Sequence, residues 1–207
     1  MKHQNSIDLL TYWTSIRGAG DAPERSIVQP KDIAPLLPWI ILLDLDAGRP
    51  AFRLAGTAVC SAHMREMKGR PFSETWGSDS RQIELAIEAV GNDLFGAVIG
   101  SRSDNGKETI SFETLLLPLL DNGRRGTRLV GVQSHFGSPW SLGGYPSDRH
   151  ELVSLRFLSP ETEGSAAPTA LHEGSVIDFS NRRREPVAGR RIGHLTVIEG
   201  GGIRAGA

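Results

Sequence analysis

Cysteine is nearly absent from this chain, with Cys60 the only one among 207 residues. A single thiol excludes an internal disulfide framework and fits a reducing compartment. Neither sign of charge dominates, since 23 Lys and Arg face 24 Asp and Glu. That balance gives no electrostatic reason to expect nucleic acid or an acidic membrane as partner. Long apolar runs are also missing: none approaches the roughly 18 residues a membrane helix needs. The opening MKHQNSIDLL lacks the apolar core of a secretory signal. A cytoplasmic location is therefore expected. The motifs of catalysis are missing as well, with no Gly-x-Ser-x-Gly, Walker loop, dinucleotide fingerprint or His-Glu-x-x-His. No catalytic residue and no metal site is assigned, and the chain reads as a non-enzyme.

What is present is a globular pattern with 39% hydrophobic residues, enough to build a core without staples. Residues 5–17 predict a helix capped by Asn5 or Ser6, with Ile7, Leu10 and Trp13 on one apolar face. Residues 21–38 contain four prolines and read as a connector, so 1–38 forms an N-terminal helix and linker. From Trp39 the pattern turns to β. The runs 39–44, 50–55, 108–117, 127–136 and 150–158 predict five strands. Between the second and third, residues 79–95 carry Ile83, Ala86, Ile87 and Val90 at helical spacing. The expected fold class is α+β, a five-stranded antiparallel sheet over 39–158 with helices on one face. Residues 159–207 turn polar and read as a flexible tail with a short β-like patch at 194–198.

An ordered series of short pieces then carries a family resemblance. Tyr12-Trp13, Arg17-Gly18, Pro23, Arg25 and Asp32-Ile33 come first. Leu37-Pro38 leads into Ile41–Asp44, and Phe52–Thr57 follows. Then come Arg65-Glu66, Gly69, Trp76, the run Glu113–Leu119, Gly131 and Pro139-Trp140-Ser141-Leu142-Gly143. Over residues 8–158 the chain resembles the small stand-alone proteobacterial PAS-like proteins. The pattern departs at His63-Met64, where a glycine is expected before Arg65-Glu66. The resemblance implies a sensory or signalling module that binds a small molecule or protein and relays the change through contacts. The competing reading is a ligandless adaptor with a filled PAS core. No output domain fits after residue 158, so a separate signalling protein is expected as partner. The resemblance names no cofactor.

Several residues stand out as candidates. Arg53, inside an apolar strand, either reaches the sheet edge or points inward as an anion anchor. His63 could ligate haem from the ligand-side loop, against the simpler reading of a solvated loop histidine. Arg65, Trp76 and Trp140 complete the ligand-binding set, the tryptophans as pocket wall or core cap. His135 reads as a strand-end hydrogen bonder and His150 as exposed. Cys60 lacks the sequence context of flavin photochemistry and reads as a small buried hydrophobe. Leu10, Tyr12 and Trp13 are assigned to dimer or partner contact, a homodimer being the commonest soluble assembly. Arg182–Arg184 and Arg190-Arg191 form a basic cluster, read as solubilising.

Overall fold

The computed structural model describes residues 1–45, 49–92, 96–104, 109–137, 149–158, 176–178, 190–192 and 195–197. Helix α1 (Gln4–Arg17) is followed by a 3-10 segment at Pro30–Trp39. Strands β1 (Ile40–Asp44) and β2 (Ala51–Ala55) form an antiparallel pair. Helices α2 (Thr57–Ala62) and α3 (Ser80–Asn92) come next, with 3-10 turns at Phe72–Thr75 and Gly77–Asp79 between them. The chain then runs through β3 (Gly96–Asp104), β4 (Thr109–Asp121), β5 (Arg124–His135) and β6 (His150–Leu158). A short β7 (Val176–Asp178) joins the same sheet, whose order is β2-β1-β5-β4-β3-β6-β7, antiparallel throughout. Strands β8 (Arg190–Ile192) and β9 (Leu195–Val197) pair with each other.

The α+β class and the antiparallel sheet agree with the sequence reading, while the number of strands rises above five. Sequence reasoning missed β7 and β8, in the stretch read as a flexible tail, and β3, inside the sheet. The text of β3, Gly-Ala-Val-Ile-Gly-Ser-Arg-Ser-Asp, breaks the β-rich pattern with two glycines and four polar residues. Gly100 is there for close approach: a Cβ on it would stand 2.5 Å from the Ser154 hydroxyl of β6. β4 also runs on through Pro118, which the sequence reading took as a stop. β3 is already left behind at that rung, since its pairing with β4 reaches only Ala97↔Leu116.

Helices cover both faces of the sheet. On the inner face, α3 packs Ile83, Ala86, Ile87 and Val90 into one cluster with Leu116, Leu129, Ala97 and Phe157. On the outer face, α1 buries Leu9 and Trp13 with Leu115, Leu117, Val130 and Val132. The Trp13 indole N–H donates to the Pro118 carbonyl at 2.8 Å inside that cluster. The beginning of α1 is tied down by polar contacts. Glu113, buried on the outer face, accepts the backbone N–H groups of Lys2 (2.8 Å) and His3 (3.0 Å). Asn5 Nδ2 donates to Ser134 Oγ at 2.9 Å, so Asn5 does not cap the helix. The cap is His3, whose Nδ1 accepts the Asn5 N–H.

Candidate ligand-side site

Register fixes which side chains meet on the inner face. Alternate residues of β5, β4, β3 and β6 line up as Gln133–Thr114–Ile99–Leu155 and then His135–Phe112–Ser101–Leu152. The next rung brings Ile110, Ser103 and His150 together. The inner face therefore has an apolar half under α3 and a polar, aromatic half at the other end. His63, the residue that closes α2, lies over this second half.

A continuous row of rings crosses that half. Trp39 meets His135 at 5.3 Å between centroids, and His135 meets Phe112 at 6.2 Å. Phe112 reaches His150 at 4.7 Å, and His150 reaches Trp76 at 5.3 Å. Phe72 and Phe52 continue the row at 5.9 and 5.2 Å. His63 leans on His150 from above at 5.5 Å. Hydrogen bonds orient the polar members. His63 Nε2 sits 3.1 Å from Gln133 Oε1, which makes the imidazole the donor, and Gln133 Nε2 donates to Thr114 Oγ1 at 3.5 Å. Ser101 Oγ pairs with His150 Nδ1 at 3.1 Å. Asp79, just before α3, accepts the Leu152 N–H at 2.8 Å and holds β6 in place.

Not every buried polar atom here is satisfied. Trp76 Nε1 and Ser103 Oγ are buried without a hydrogen-bond partner. Such orphans cost free energy and call for a partner. Burial also pushes the His135 imidazole below its ordinary pKa, and the neighbouring His3 adds to the effect.

The sequence-derived candidates divide. Trp76 is fully buried within the row of rings. His63 is buried as well, which corrects its reading as a solvated loop residue. His150 corrects the same way: it is the centre of the cluster, not an exposed residue. The available signal was period-two alternation, which puts His150 on the side of Leu152. His135 ends β5 beside Phe136, whose backbone hydrogen-bonds the ring and partly offsets the effect of burial, in line with its reading as a strand-end hydrogen bonder. Arg53 lies outside the interior, ion-paired at 3.2 Å with Asp44 on the surface. A charged side chain that can reach water stays there, because burying it unpaired is costly. Arg65 pairs with Glu74 at 3.2 Å. Trp140 falls outside the described residues, as do Arg182–Arg184. Cys60 is half-buried, and burial raises its thiol pKa, with the Glu66 charge adding to the rise.

The contact residues of α1 are also corrected in part. Trp13 is taken up by the chain's own sheet. Leu10 and Tyr12 are partly buried against the same cluster, and the Tyr12 hydroxyl accepts the Gln29 N–H. On the other side of β3 and β6 from His150, Arg102, Asp104, Thr109, Arg149 and Glu151 line a surface depression of about 440 Å³. Arg102 and Glu151 neutralise one another there at 2.8 Å. Among the described residues no helix is long and apolar enough to cross a membrane.

An antiparallel sheet in the order β2-β1-β5-β4-β3, with short helices and α3 over one face, is the architecture of a PAS-type sensory domain. The family model described as a PAS domain matches residues 1–134, more than half of the chain, and the chain belongs to that family. PAS domains serve in general as sensory or regulatory modules. No curated protein and no solved structure gives a significant match to the chain. The matched region ends within β5, so β6, which delivers His150 and pairs with β3, lies outside it.

Proposed function

We propose that this protein is a regulatory PAS module without catalytic output of its own, which binds a small molecule at the polar half of its inner face. The observation that carries this reading is the pair of buried, unpartnered polar groups on Trp76 and Ser103. A ligand entering there gains hydrogen bonds that the folded chain leaves unmade. The change is passed to a separate signalling protein by altered surface contacts, and the lone cysteine fits work in the cytoplasm. A homodimer remains part of the proposal, through surfaces other than the buried Trp13. The competing reading, a ligandless adaptor, draws support from the complete burial of Phe52, Met67, Phe72 and Trp76 in the interior.

Native mass spectrometry of the purified protein, with its absorption spectrum, separates the two. The sensory reading expects a mass above that of the bare chain, lost on denaturation. A bare mass, from protein purified out of its own cells, favours the adaptor.

A further inference from the structure

We infer that the imidazole of His150 is an internal stand-in for a ligand, and that the inner face is built to hold a flat, uncharged, nitrogen-bearing heteroaromatic ring. This rests on the sensory reading above and names the ligand class of that site. The His150 ring is held as a bound heterocycle would be. Phe112 presents to it at 72°, Trp76 lies more nearly parallel at 37°, and His63 closes the third side. Ser101 anchors one ring nitrogen. Aromatic walls with a few polar anchors are the usual means of binding a planar heterocycle.

The origin of the ring points the same way. The PAS sheet is complete through β5, and the strand that inserts His150 lies outside the matched residues. Its pairing with β3 slips between Gly100 and Ser101, on the far side of the Ser101↔Leu152 rung from the Ser103↔His150 pair. The fit also falls short at one atom. Trp76 Nε1 touches no acceptor, although its ring contacts His150. A heterocycle with one further acceptor would satisfy it. Charge selects against anions, because no arginine or lysine is buried among the described residues. The one buried carboxylate nearby, Asp79, already accepts the Leu152 N–H.

Chemical rescue tests this. His150→Ala leaves a ring-sized gap, and the folded variant is titrated with imidazole above the imidazole pKa while thermal unfolding is followed. The midpoint is expected to rise on the order of 5–10 °C at about a hundred times the dissociation constant. Wild type should not respond, nor should Leu116→Ala, whose gap lies in the apolar half of the same face. Where His150→Ala does not fold alone, His150→Val keeps strand propensity and takes its place. Folding that appears only with imidazole counts as a rise. No selective rise, equal rises in all three proteins, or variants that imidazole cannot fold would overturn the inference. The native mass of wild type reports on the sensory reading separately, so either can fail alone.

Discussion

His135 shows how much one side chain decides at the rim of the inner face. Its ring is wedged between Trp39 and Phe112, and the one hydrogen bond to the Phe136 backbone only partly offsets its burial. Desolvation therefore favours the neutral form in the folded state, and His3 opposes a second positive charge nearby. The linkage sign follows. The unfolded chain takes up this proton more readily than the folded one, so the contribution is present above the ordinary value of 6.5 and is lost as pH falls below it. The loss levels off once the depressed folded value is passed. Urea midpoints of wild type should drop between pH 7.5 and 5.5, and His135→Phe should show a shallower drop. Equal slopes in the two proteins would remove His135 as the cause. Glu113 makes the complementary point: a carboxylate on the outer face of a central strand is tolerated because two backbone amides accompany it.

At the scale of elements, α1 belongs to its own sheet, and Trp13 is the pin. Trp13→Phe keeps most of the apolar burial but strands the buried Pro118 carbonyl, which should cost roughly 1–3 kcal/mol. Trp13→Ala should cost about 3–5 kcal/mol through the cavity it leaves. Denaturant titration of both variants checks the ranking, and a Phe variant as damaging as Ala would discount the hydrogen bond. The elements that could be read in the sequence were those with a clean period. The face of α3 repeats at helical spacing, and the paired runs of β1, β2, β4, β5 and β6 stand out as apolar stretches; α1 was legible as a helix, but its buried face is Leu9 and Trp13, with the expected Ile7 exposed. β3 hides because its glycines and serines answer to neighbours rather than to propensity, Gly100 yielding room to Ser154. The site followed the same division. Trp76 was legible as a large aromatic that must pack somewhere. The side of the sheet that His150 takes could be read from its alternation with Leu152, but its ring neighbours could not, because they depend on the register between β3 and β6. Arg53 misled for a related reason: on a strand at the edge of the sheet, an outward position is open to any long charged side chain.

For the molecule as a whole, the boundary of the family match does not coincide with the boundary of the core. Leu152, Leu155 and Phe157 of β6 are buried in the inner cluster, beyond residue 134. Removing three such side chains forfeits about 1.5–3 kcal/mol each, a sum comparable with the roughly 5–15 kcal/mol that holds a domain together. A fragment of residues 1–134 should therefore show no cooperative melt by circular dichroism, whereas 1–158 should melt sharply. A sharp melt of the shorter fragment would mean that β6 is ornament. The sheet also has a property of a thin partition. On β4, Phe112 and Thr114 look into the ring cluster while Glu113 between them grips the first residues of the chain on the far side. On β5, Gln133 and His135 look inward while Ser134 holds Asn5. One peptide unit is all that separates the two rooms, so a fluorophore or spin label at Lys2 listens through the wall to whatever is happening around His150.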